Sequence, residues 1–243
     1  MKQIIQSLKD GNTKLIDVPT PSLKPGHVLI HTTQTLVSLG TEKMLVKFGK
    51  STLIEKIKKR PDQVKKAFQR MKSDGIISTI NLVKEKLDQE FPLGYCNVGR
   101  VIESAVDGIV TGDRVASNGN HSEIVLVPEN LIVKIPDNVS DDEASFTVIG
   151  SIGLQGIRLI KPEFGENIVV IGLGLVGLIT VQLLKSNGIN VIGVDIDKRK
   201  CELAKSYGAI TINSSKKDPV KSIKSIIGED GVDGVLITAS ADT

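Results

Sequence analysis

Three glycines and one acid hold the clearest chemistry in this chain. In the stretch IVVIGLGLVGLITVQLLKSNGINVIGVDIDKRK, Gly172, Gly174 and Gly177 fall in the spacing GxGxxG, directly after one apolar run and directly before another. Gly172 allows a tight turn, Gly174 lets the backbone approach a pyrophosphate, and Gly177 lets a helix lie close on the preceding strand. The helix start, at Leu175 and Val176, then offers unpaired N–H groups and a partial positive charge to the phosphate oxygens. Asp195 stands 18 residues beyond Gly177, with Ile196 and Lys200 beside it. Its carboxylate can accept hydrogen bonds from ribose hydroxyls, and it would meet a 2′-phosphate unfavourably. The site is therefore expected to take NAD in preference to NADP, while the cations Lys198, Arg199 and Lys200 soften that preference. Strand, glycines, helix and acid all agree on dinucleotide binding.

The remaining reactive side chains are sparse. Cys96 and Cys201 are far apart and form no CxxC pair, and no leader segment opens the sequence, so a reduced, cytoplasmic setting is expected. His27 and His31 stand four residues apart on one strand face, yet no further ligands accompany them. Cys96 with His121 makes one thiol and one imidazole, whereas a catalytic zinc takes about three protein ligands. No zinc is expected.

The elements that must position these residues follow from periodicity. Residues 1–40 and 97–135 alternate short apolar runs with Gly, Asp, Asn and Pro, the pattern of β-strands and turns. From Asp141 onward strands alternate with helices, beginning with one helical segment over SDDEASFTVIGSIGLQGIRLI, which predicts a parallel sheet with right-handed crossovers. Between the two lies a basic stretch: residues 43–90 contain 13 Lys/Arg against 6 Asp/Glu, with helical spacing after Pro61 and again in STINLVKEKLDQE. This stretch reads either as a solvated helix face or as a basic rim that attracts an anionic substrate. The fold class is α/β: a β-rich domain over 1–145 carrying a helical insert at 43–91, then a Rossmann domain over 146–243. Only four of the six strands of a complete dinucleotide fold occur, so the chain is expected to be a fragment, poorly soluble or inactive alone.

Composition sets wider bounds. Of 243 residues, 40% are apolar and 24% charged, and a net charge of +3 does not by itself imply a nucleic-acid partner. The apolar stretch 168–184 is broken by glycines, which favours a buried strand and helix over a membrane span.

With a nucleotide-binding signature following a β-rich domain, the chain resembles the medium-chain dehydrogenase/reductase family along nearly its whole length. LGTE (39–42) is similar to that family's CGTD turn, GYCNVGRV (94–101) to its GHExxGxV turn, and TGDRV (111–115) to its GDRV strand. The resemblance implies a GroES-like catalytic domain, a nicotinamide cofactor and an active site in the cleft between domains. It also marks departures. Leu39 stands at the zinc-ligating Cys, Tyr95 at the zinc-ligating His and Cys96 at the following acid, while the Cys-rich structural-zinc loop is absent. The implied protein is a zinc-free member. Thr41 matches the family's hydroxyl relay position, and Tyr95 either hydrogen-bonds the substrate oxygen or fills the vacated metal pocket. Glu42 is expected to make a structural hydrogen bond or ion pair.

The long insert leading to PLGY further resembles bacterial bi-domain oxidoreductases of surface-polysaccharide metabolism, in which such a half precedes a glucose–fructose oxidoreductase-like half. The implied function is an NAD-dependent, zinc-independent oxidoreductase acting on an alcohol or carbonyl, as of a sugar or sugar nucleotide. Its partners would be a small-molecule substrate and either a fused C-terminal oxidoreductase domain or a second copy of itself, with no nucleic acid or membrane. Two alternatives stay open: a dinucleotide-binding module without turnover, and a quinone or enoyl reductase.

Overall fold

The computed structural model describes residues 1–7, 11–50, 90–229 and 231–239. The helical runs expected within the basic insert, from Ser51 to Gln89, lie outside the described residues. The chain divides into two compact units, Met1–Ser145 and Phe146–Thr243. Among the described residues no helix is long and apolar enough to cross a membrane.

The first unit is antiparallel. β3 (His27–Thr35) sits in a five-stranded sheet between β7 (Ile124–Pro128) and β5 (Asn97–Ser104), which continues through β6 (Arg114–Ser117) to β8 (Ile132–Lys134). Alternation decides what is buried: Val28 and Ile30 of β3 meet Val101, Val115, Val125 and Val127 in one apolar cluster. Each such side chain contributes about 1.5–3 kcal/mol on burial, and β-branched residues suit the pleated surface. A smaller sheet runs β2 (Thr13–Asp17), β1 (Lys2–Ser7), β4 (Glu90–Pro92).

Two local readings change. LGTE, read as a turn, is the first turn of helix α1 (Leu39–Lys50). Glu42 stabilises it by accepting from the Ser38 N–H through Oε1 at 2.8 Å while donating its own N–H to the Ser38 carbonyl. The single helical segment expected near residue 141 is two helices, α2 (Asp141–Ala144) and α3 (Thr147–Ile160). Ser140 opens α2 with a capping box to Glu143.

The second unit is doubly wound. Its parallel sheet has the order β11 (Ile210–Asn213), β10 (Asn190–Asp195), β9 (Asn167–Ile171), β12 (Gly234–Ile237). In sequence terms that order is 3-2-1-4, the central part of a dinucleotide fold. Ile168 and Val170 face one side, with Val181 and Leu184 of α4 (Leu175–Ser186) and Cys201 and Ala204 of α5 (Lys198–Ser206). Val169 faces the other side with Ile223 and Ile227 of α6 (Pro219–Ile227). Apolar residues on both faces of one strand are what a buried parallel sheet requires.

Candidate functional site

The glycine-rich turn runs from the end of β9 into α4. Gly172 has φ +91°, the left-handed region, and a Cβ there would come within 2.6 Å of the Ala239 nitrogen. Gly177 is needed for a close approach: its Cβ would lie 1.9 Å from the Gly172 carbonyl oxygen. Gly174 differs from both. Its φ of −75° is ordinary, and a Cβ would meet nothing within 4 Å. No side chain caps the helix start, so the amides around Leu175 and Val176 are left for another acceptor. Beside this turn a cavity of about 310 Å³ opens between α3, α4 and the end of β12, lined among others by Gly153, Val176, Thr180 and Thr238.

Asp195 ends β10 and is 8% exposed. Its Oδ2 accepts from the Leu173 N–H at 2.7 Å and its Oδ1 from the Asp197 N–H at 2.8 Å. The carboxylate therefore braces the glycine turn. Each carboxylate oxygen has two acceptor sites, so capacity remains for further donors. Lys200 Nζ is 3.9 Å from Asp195 Oδ2, and Ile196 is exposed next to it. On the other side of the turn Thr238 donates its hydroxyl to the Gly172 carbonyl. Neither brace was visible in the sequence, although the Thr238 position falls on the last predicted strand.

The first unit gathers a second group of polar residues. Thr41, in the first turn of α1, and Tyr95, in the loop before β5, bring their oxygens to 3.4 Å. That is longer than an ordinary hydroxyl–hydroxyl hydrogen bond. Glu42 and His121 are 8% and 7% exposed and face each other across 3.1 Å, Oε2 to Nε2. The other ring nitrogen, Nδ1, lies 2.8 Å from the Thr35 hydroxyl. Gly94, at φ +91°, lies flat against the imidazole, where a Cβ would come within 2.7 Å of the ring. Glu42, expected to make a structural hydrogen bond or ion pair, accepts a hydrogen bond from the Ser38 N–H and lies in hydrogen-bond reach of His121. Its partner, His121, stands out in the sequence only as a possible metal remnant beside Cys96. His27 bonds the Pro25 carbonyl and His31 is exposed.

The donors at the positions of the family's metal site do not make a zinc set. Leu39 is exposed and has no donor atom, Tyr95 faces Thr41, and both nitrogens of His121 have partners. Cys96 is fully buried, in the manner of a small apolar residue. Among the described residues no three His, Cys, Asp or Glu side chains cluster as metal ligands.

Residues 176–243 match the family model described as zinc-binding dehydrogenase. That stretch lies wholly in the second unit and includes none of Leu39, Tyr95 or Cys96. The chain is 36% identical over 113 residues to an alcohol dehydrogenase of Geobacillus stearothermophilus, covering 46% of this chain and 33% of the relative. It is 34% identical over 157 residues to D-guloside 3-dehydrogenase of Escherichia coli, covering 62% of this chain and 45% of the relative. It thus spans a third to under half the length of these curated relatives. Among solved structures, alcohol dehydrogenase TADH from Thermus sp. ATN1 superposes with a TM-score of 0.75 at 20% identity, covering 99% of this chain and 71% of that one. This likeness establishes the fold, an antiparallel β-rich unit followed by a Rossmann-type parallel sheet.

Proposed function

We propose that this chain, a relative of the alcohol and sugar dehydrogenases of the medium-chain dehydrogenase/reductase family, belongs to an NAD-dependent oxidoreductase that acts without catalytic zinc on an alcohol or carbonyl of a sugar or sugar nucleotide. The observation that carries the reading is the glycine turn with its open Gly174 and braced Asp195. Gly172 and Gly177 cannot accept a side chain for reasons internal to the fold, whereas Gly174 has free space on its Cα. A glycine at a position where the surrounding protein leaves room for a side chain fits a backbone approached from outside, as by a pyrophosphate.

The residues divide the work. The first amides of α4 would bind the phosphate oxygens, and Asp195 would accept from the ribose hydroxyls with Lys200 alongside. The negative Asp195 supports NAD over its 2′-phosphorylated form. When bound, the nicotinamide supplies the hydride donor or acceptor. Thr41 and Tyr95 would hydrogen-bond the substrate oxygen and hold or pass its proton, a task that hydroxyl-bearing side chains can perform in place of a metal's charge. The donor set supports the metal-free reading, since Leu39 and Tyr95 offer no ordinary zinc ligand. The relationship to D-guloside 3-dehydrogenase supports a carbohydrate substrate.

The test is NADH and NADPH titration followed by nicotinamide fluorescence on the full-length protein, with zinc measured by elemental analysis on the same sample. NADH binding at least tenfold tighter than NADPH, with zinc well below one per chain, is expected. Stoichiometric zinc would overturn the metal-free mechanism. Absence of any dinucleotide binding would overturn the whole reading. NADH binding without turnover on a panel of sugar alcohols and sugar nucleotides would favour a nucleotide-sensing module.

A further inference from the structure

The Thr41–Tyr95 contact is too long and too exposed to set its own distance. At 3.4 Å between solvent-accessible hydroxyls, it contributes little against water. Something firmer must hold the two segments. Glu42 and His121, 79 residues apart in the chain, face each other across 3.1 Å and are both buried. Glu42 follows Thr41 in α1, and its second oxygen holds the Ser38 N–H at the helix start. The His121 ring lies on Gly94, which precedes Tyr95, and the His121 backbone N–H donates to the Leu93 carbonyl at 2.7 Å. Thr35 fixes the ring's remaining nitrogen. A buried carboxylate is costly unless paired and hydrogen-bonded, so this arrangement tolerates few alternatives.

We propose that the Glu42–His121 pair is a positioning clamp that sets the Thr41 hydroxyl against the Tyr95 phenol, with Thr35 orienting the imidazole. Both are positioning residues, acting through the segments they join. Only the catalytic consequence of the clamp rests on the reading of Thr41 and Tyr95 as the oxygen-contacting pair.

The chain has two tyrosines and no tryptophan. Uniform labelling with 3-fluorotyrosine therefore gives two ¹⁹F resonances, Tyr95 and Tyr207, which Tyr207→Phe assigns. Thr41→Val, in the full chain, calibrates the shift caused by loss of the hydroxyl contact. Glu42→Ala and His121→Ala should move the Tyr95 resonance by at least half of that shift, in the same direction, with Tyr207 unmoved. The isosteric Glu42→Gln, which can still hydrogen-bond both partners, should leave Tyr95 near its wild-type position. A Tyr95 resonance unchanged in both alanine variants would overturn the clamp, and so would equal movement of Tyr207. Should those variants fail to fold, Thr35→Val decides: it removes only the Nδ1 partner, and an unmoved Tyr95 there overturns the proposal. If instead the resonances move as expected while Thr41→Ala and Tyr95→Phe leave turnover intact, the clamp stands and the catalytic reading fails.

Discussion

Gly174→Ala should separate ligand binding from folding. At this position φ is −75°, so alanine incurs no left-handed strain, and its methyl would find no protein atom within 4 Å. Two small terms act on stability. Alanine is a poorer N-cap than glycine, which costs about 0.5–1 kcal/mol. It also narrows the unfolded ensemble, which returns about 0.4–1 kcal/mol. The net is close to zero, and the melting temperature should stay within a few degrees of wild type. Binding is another matter. The methyl would occupy the space through which the pyrophosphate reaches the backbone, and losing one hydrogen bond to a charged oxygen costs about 1.5–3 kcal/mol. That is roughly a 10- to 100-fold weaker NADH affinity. Gly177→Ala is the contrasting control. Its Cβ would sit 1.9 Å from the Gly172 oxygen, where ordinary contact is about 3.5 Å, so α4 must retreat from β9. Stability should fall by about 1–3 kcal/mol or more together with affinity. Thermal melts and NADH fluorescence titrations on the three proteins read both quantities. If Gly174→Ala binds NADH within twofold of wild type, no pyrophosphate lies over Gly174 and the assignment of the turn is wrong.

Other outcomes are equally specific. In the intact protein, Thr41→Ala and Tyr95→Phe should each lower turnover about 100-fold, the lower range for a positioned proton-transfer group, while NADH affinity stays unchanged; steady-state kinetics beside fluorescence titration checks both. The hydrogen bond from Arg114, aided by one from Thr33, holds the Asp141 carboxyl below its usual range despite partial burial. A depressed folded-state pKa contributes stability above the unfolded value near 3.8, which is lost as pH falls through the folded value. Asp141→Asn should therefore be less stable than wild type by about 1 kcal/mol at pH 7, the figure being discounted for its partial exposure, and the gap should narrow as pH falls below 3.8 toward the lowered folded value in urea denaturation. Cys96 and Cys201 are both buried, and burial pushes the Cys201 thiol up. Ellman's reagent should titrate neither thiol readily in the native chain and both after denaturation.

The parts of this fold that were legible in the sequence are the local ones. The glycine turn can be read because its three positions and Asp195 fall within a single strand–helix–strand unit, where spacing alone fixes placement. The strand rhythm of β3, β5 and β9 is likewise written in alternation and in runs of Val and Ile. What could not be read spans distance. The Leu173–Asp195 brace joins residues 22 apart, the Thr238–Gly172 bond residues 66 apart, and the Glu42–His121 pair residues 79 apart. Nothing in the text of NGNHSE says that its histidine will face the glutamate of LGTE. The start of α1 was missed for a different reason: similarity to a turn motif outweighed the weak helical pattern of GTEKMLVKFG. Cys96 is fully buried, as a small apolar residue would be.

If Asp195 meets the ribose as proposed, its bracing of the turn bears on how readily the protein could change its cofactor. The usual design route to a 2′-phosphorylated dinucleotide removes the acid and installs a cation. Here the same carboxylate receives the Leu173 and Asp197 amides. Deleting it would strand two backbone donors, one of them inside the phosphate turn, so selectivity and scaffold cannot be altered separately. An accessible path keeps two oxygen acceptors' worth of geometry at this position, as asparagine partly does, and recruits charge from Lys198, Arg199 and Lys200 instead. On the proposed reading, cofactor choice would be a property of the turn's architecture, and mutational drift toward the phosphorylated form would meet a folding barrier before a binding one.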